Sequence, residues 1–243
     1  MPRNGVALIL RPLFDKATEY GHYYMGRAAA YASRSMFVRN IGAADATRAN
    51  FEGSLDADDP IYCYLLGHGN SDTYTAQNQE VVMRTCSGNE ALIGRVVLLL
   101  SCSCGIRIAP DAVNKGALAI FGWAVDFTWV AVTEPEFDQY ARGFFEAVNA
   151  ISNALADGRT TKEAMDASIA TWNKWIDQWS VSDDPYAPMI IQNMVHDREG
   201  QRLFGDENVR ITTGIAPPIV AGLPIELPYL FGQTLTMLGL IAL

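Results

Sequence analysis

Apolar residues along this chain fall into two patterns. The first is the short unbroken run, five or six mostly aliphatic positions that stop at glycine, proline or a polar cluster. Such runs mark strands buried on both faces of a parallel sheet. Residues 5–10 (GVALIL), 61–66 (IYCYLL), 96–100 (VVLLL) and 116–122 (GALAIFG) have this form, and 36–41 predicts a short edge strand. The second pattern recurs every three or four residues and predicts helices. Helices are expected over 23–34, 45–55, 162–179 and 189–195, with a shorter one at 111–114. A further helix is signalled by a capping box of Thr133 with Glu136, then Phe137, Tyr140, Phe144, Val148, Ile151 and Leu155 at helical spacing, and Gly158 as its stop. A second capping box, Thr160 with Glu163, opens 162–179, where Trp172, Trp175 and Trp179 share a face and read as core packing.

The intervening segments are more polar. Residues 13–21 read as a rim loop containing Asp15 and Lys16. Residues 71–95 read as a loop with a short helix or hairpin near 81–83 and a helical turn at 89–93. After the break at Asp183-Asp184-Pro185, Phe204-Gly205-Asp206 leads to a last short strand around 209–212. Strands alternating with helices predict an α/β fold: a mostly parallel sheet of about six strands with helices on both faces.

Composition narrows the partners. With 243 residues and 49% hydrophobic content, the chain makes one large domain or a domain with an appendage. A net charge of −9 and no long basic run argue against nucleic acid. Four cysteines (Cys63, Cys86, Cys102, Cys104) are too few for a disulfide scaffold, and no Cys-x-x-Cys pair suggests a zinc ribbon. Zinc held by Cys63, His68, Cys102 and Cys104 is disfavoured because Cys63 lies inside a strand, so neither metal nor other cofactor is expected. The opening MPRNGVALIL has too short an apolar run for a signal-peptide core, and the expected location is cytoplasmic, with reduced thiols.

Two of the strands end in chemistry. The run 61–70 stops at Gly67-His68-Gly69-Asn70, and 96–105 stops at Ser101-Cys102-Ser103-Cys104-Gly105. Ligands of open α/β sheets bind outside the carboxyl ends of the strands, so neighbouring strands would set His68 beside Cys102. A thiol becomes a nucleophile at neutral pH with a base or cation beside it, which a histidine supplies. Cys104 competes, since a strand end would present it on the same face as Cys102.

Three features together resemble the caspase-like fold of clan CD cysteine peptidases, and within it the gingipain family. They are the strand ending in Gly67-His68-Gly69-Asn70, the strand ending in Ser101-Cys102 with Gly105 three residues on, and Gly116–Gly122 followed by Trp129. Thirty-four positions separate His68 from Cys102, similar to the gingipain interval. The resemblance spans roughly residues 5–211 and implies a caspase-like three-layer sandwich over 1–212. It implies a cysteine endopeptidase acting on a protein or peptide through a thioester acyl-enzyme. His68 and Cys102 would be the dyad, the amides of Gly69 and Cys102 the oxyanion hole, and Trp129 a wall of the substrate pocket. Asp126, with Asp15 as its rival, is the acid available to pair with a basic residue before the scissile bond. The competing expectation is a non-catalytic caspase-like subunit of a larger assembly that keeps these motifs.

The remainder, 213–243, carries one charged side chain, Glu226, and four prolines. Its apolar residues, among them Leu227, Leu230, Phe231, Leu235, Leu238 and Ile241, need a cover. Another protein chain or a second copy is the expected one, and membrane attachment or packing on its own domain are the alternatives. The final run of about 15 residues is shorter than the ~20 of a membrane-spanning helix.

Overall fold

The computed structural model describes residues 5–211 and 239–242. In order these form β1 (Val6–Arg11), α1 (Lys16–Ala32), β2 (Phe37–Gly42), α2 (Arg48–Asp58), β3 (Tyr62–Leu66), β4 (Thr73–Thr75), β5 (Val81–Arg84) and β6 (Val96–Leu100). Then come α3 (Ile108–Asn114), β7 (Ala119–Trp123), β8 (Thr128–Ala131), α4 (Gln139–Ala156), α5 (Thr161–Ser180), α6 (Ala187–Gly200), β9 (Gln201–Gly205) and β10 (Gly239–Ala242).

Six strands make one sheet in the order β2-β1-β3-β6-β7-β9, every pair parallel except β7 with β9. The chain winds outward from β1 in both directions; α1, α2 and α3 supply three of the crossovers that parallel pairing demands, and the segment carrying β4 and β5 supplies the one from β3 to β6. β3 and β6 are buried at every position, because strict alternation sends side chains into two separate cores. Tyr62, Tyr64 and Leu66 of β3, with Val96, Leu98 and Leu100 of β6, meet α1, α4, α5 and α6. Cys63, Leu65, Val97 and Leu99 meet α2 and α3 on the other face. The result is an α/β sandwich with a mostly parallel six-stranded sheet. β8 and β10 form a separate antiparallel pair, and β4 with β5 forms a hairpin.

The helical layer against α4 is the heavier. Gly143 lets α4 approach α6 and α5 closely: a Cβ there would lie 2.5 Å from Met194 and 2.8 Å from Trp175. Trp172 is fully buried, its indole N–H donating 2.8 Å to Gln201 at the start of β9. The tryptophan face of α5 is core, and Thr160 with Glu163 form the expected capping box.

Four local expectations are corrected. The second half of the rim loop 13–21 is the first turn of α1, capped by Asp15 in a box with Thr18. The helix expected from Thr133 begins at Gln139, and its N-cap is Asp138, which accepts from the Tyr140 and Ala141 amides and from the buried Tyr20 hydroxyl. The short helix at 189–195 extends over Ala187–Gly200. The final strand of the sheet is β9, earlier than the expected 209–212, of which residue 212 lies outside the described residues, because the chain reverses straight out of α6 to pair antiparallel with β7. Of the tail, Leu227, Leu230, Phe231, Leu235 and Leu238 lie outside the described residues, whereas Gly239–Ala242 pairs with β8 of its own domain. Among the described residues, no helix is long and apolar enough to cross a membrane.

Candidate active site

Register sets the site. β3 and β6 pair in parallel through Leu66↔Leu100, and Gly67 extends the ladder by donating to the Leu100 carbonyl. His68 and Cys102 each lie two residues past that last pair. The register therefore places the His68 and Cys102 turns at the same end of two adjacent strands, which run about 4.8 Å apart. Cys102 belongs to the core shared with α1 and α4, and His68 meets residues at the start of α1.

Those residues fix the imidazole. The Asp15 Oδ1 caps α1 by accepting from the Thr18 amide and hydroxyl, each at 2.8 Å. Its Oδ2 lies 2.6 Å from His68 Nε2, and the Phe14 ring stands edge-on to the imidazole at 5.7 Å. A neutral His68 that donates from Nε2 keeps Nδ1 as an acceptor. Partial burial raises the Asp15 carboxyl pKa, but the Thr18 amide, His68 and the Thr18 hydroxyl outweigh it, leaving the group below its ordinary value. Asp15, the rival of Asp126 for meeting a basic residue of the substrate, is hydrogen-bonded to His68.

Cys102 is 4% exposed, its Sγ 4.0 Å from the Phe127 carbonyl. Burial first, and the Asp126 charge second, push its thiol up to about 12. The resting group is a thiol, not the thiolate expected beside a histidine. Cys104 does not share its face. Ser103 adopts a left-handed φ of 56°, and the turn sends Cys104 into the α2–α3 core, fully buried, with Sγ 3.5 Å from the Asn70 carbonyl. Burial holds that thiol near about 12 as well. Cys63 is buried in β3, and Cys86 is the exposed thiol of the four.

The glycines flanking His68 answer to packing. A Cβ on Gly67 would run into the Thr75 carbonyl of the β4–β5 hairpin. One on Gly69 would strike the Ser101 hydroxyl and lie 2.8 Å from Thr73 O and 2.9 Å from Cys104 Sγ. The Gly69 backbone is thus packed directly against the side chains of Ser101 and Cys104 on either side of Cys102. Among the described residues, no acceptor takes the Gly69 or the Cys102 amide.

A third wall comes from residues 124–128, held by elements that sequence patterns did not tie to the site. The Ser103 amide donates to the Val125 carbonyl, and the Ser103 hydroxyl donates 2.8 Å to Asp126. α6 clamps the far side. His196 Nε2 lies 3.1 Å from the Asp126 carbonyl, the Thr128 amide donates 3.1 Å to Asp197, and the Thr128 hydroxyl lies 3.0 Å from Asn193 Oδ1. Asp197 is fully buried, and burial holds its carboxyl well above the ordinary value. Asp197 lies past the helix expected at 189–195, and a charged residue there reads as solvated, so its clamping role left no sequence signal.

Asp126 is exposed at this wall, beside Cys102 and free to meet a cationic group. Trp129 differs from expectation. It is fully buried among Tyr20, Phe127 and Phe145, and it pairs across β8 with Ile241, which packs on the same core. Among the described residues its buried indole N–H has no partner, which would cost about 1–3 kcal/mol. A depression of about 480 Å3 lined by Arg39, Asn40, Gly42 and Asp45 lies at the β2 edge and includes neither half of the pair. Among the described residues, no group of three or more His, Cys, Asp or Glu side chains is placed to hold a metal ion. No protein-family model matches the chain, and no curated protein matches it.

Proposed function

We propose that this chain is a caspase-like cysteine peptidase, most similar in its motifs to gingipains, with Cys102 as nucleophile and His68 as general base and acid. The supporting observation is the parallel register that brings the His68 and Cys102 turns to the same end of adjacent strands, with Asp15 on His68 Nε2. The Cys102 thiol proton passes to His68 Nδ1 as Sγ attacks the scissile carbonyl carbon. The amides of Gly69 and Cys102 hold the oxyanion. His68 then returns the proton to the leaving amine, and water hydrolyses the thioester with the imidazole again as base. Asp15 keeps the ring in the tautomer this cycle needs. The exposed Asp126 favours a basic residue before the cleaved bond.

A second reading, a scaffold that keeps the motifs, is favoured by the buried thiol and by the covered Trp129. An acyloxymethyl-ketone peptide separates the two. The background is Cys86→Ser, since Cys86 is the exposed thiol that would label regardless. Stoichiometric labelling and peptide turnover are expected, both lost in Cys102→Ala and in His68→Ala and largely retained in Cys104→Ala. Labelling that ignores His68→Ala would support the scaffold.

A further inference from the structure

β8 has one edge free for pairing, and the chain's own tail fills it. The Thr128 amide points to Asp197 of α6, so that side of the strand is closed by a helix. The other side carries β10 in antiparallel register, Gly239↔Ala131, Leu240↔Val130, Ile241↔Trp129 and Ala242↔Thr128. The strand begins beside the nucleophile, since the Phe127 carbonyl just before it lies 4.0 Å from Cys102 Sγ. Antiparallel pairing sends β10 towards that end, with Ala242 nearest the thiol and Gly239 farthest. A peptide arriving in this direction presents its carboxyl side to Cys102, as the acyl half of a substrate must.

We propose that β8 is the peptide-docking strand of this site and that Gly239–Ala242 occupies it as an internal substrate mimic. The tail then holds the site in a self-inhibited form. The inhibitory part rests on the peptidase reading above; the docking part does not. Strand addition to an exposed edge takes its affinity from main-chain hydrogen bonds and its selectivity from alternate side chains. Here the fitting ligand is an extended peptide with an aliphatic residue opposite Trp129, where Ile241 now packs. A tethered strand meets its site at roughly millimolar effective concentration, so a free peptide competes poorly until the tether lets go.

The test uses the full chain. Ile241→Pro removes one backbone N–H and the packed side chain, and releases β10. Ala131→Cys with Gly239→Cys, a facing pair, locks it when oxidised. The probe is a fluorescein-labelled synthetic peptide of residues 237–243, followed by anisotropy on chains that also carry Cys86→Ser and Cys102→Ala. The released chain is expected to bind the probe at least tenfold more tightly than the parent. Should Ile241→Pro not melt cooperatively, the facing cysteines decide: the reduced chain binds the probe, and the oxidised chain does not. Equal binding by parent, released and locked chains overturns the docking strand whatever the turnover. With Cys102 restored, the released chain should cleave fluorogenic peptides at least tenfold faster than the parent. Probe binding without Cys102-dependent turnover would remove the peptidase reading and inhibition together, and would leave the docking strand standing.

Discussion

At the scale of single residues, the site balances a buried thiol against an oriented imidazole. Burial and the Asp126 charge push the Cys102 thiol up to about 12, so it is neutral at rest, and on the proposed peptidase reading it gives up its proton only as it attacks. In a Cys86→Ser chain, the iodoacetamide rate at Cys102 should rise with pH past 9 and show no plateau near neutrality; a neutral plateau would mean a resting thiolate. The same shift bears on stability. A thiol raised in the folded state contributes fully below its unfolded value, ~8.5, and that contribution is lost as pH climbs towards about 12. Asp15 works in the opposite sense. Its folded pKa is depressed, so its contribution is complete above ~3.9 and is lost as pH falls through the folded value. Asp15→Asn, which keeps the helix cap but weakens the hold on Nε2–H, should lower kcat at least about tenfold with little change in KM. It should leave the thermal midpoint within a few degrees. An unchanged kcat would reduce Asp15 to a cap.

At the scale of elements, α6 does two jobs, packing on the sheet and holding the loop that walls the thiol. Asp197 serves the second with a buried carboxyl that accepts from the Thr128 amide, while its other oxygen has no partner among the described residues. Because burial raises its pKa, its favourable contribution is present below ~3.9 and is lost as pH rises through the folded value. Asp197→Asn keeps an acceptor for Thr128 and has no charge to bury, so its thermal midpoint should exceed that of the parent at pH 8 and converge with it near pH 4. Asp197→Ala leaves the Thr128 amide unpaired and should cost about 1–3 kcal/mol. A calorimetric pH series on both variants checks the pair. Sequence periodicity found α5 because its capping box and tryptophan face are local signals. It shortened α6, whose apolar face is weak and whose contacts are with β8 and α5, far away in sequence.

At the scale of the whole molecule, the central strands were legible because burial on both faces writes an unbroken apolar run, as in 96–100. That the His68 and Cys102 turns share one end of the sheet followed from two such strands ending in polar turns. What could not be read was long-range: that Asp15 reaches across 53 positions to His68, that Ser103 turns Cys104 onto the opposite face, and that Trp129 is covered. Each depends on a turn angle or a distant partner that composition does not encode. The sheet's closing order also has a temporal side. The thiol and the imidazole emerge during synthesis well before the helix that clamps their wall. Ninety-five positions lie between Cys102 and Asp197, on the order of 5–20 s of translation. Through that interval β8, 26 positions past Cys102, is already made while neither α6 nor β10 exists to cover its two edges, so on the docking proposal a nascent chain presents an open strand to the other growing polypeptides around it.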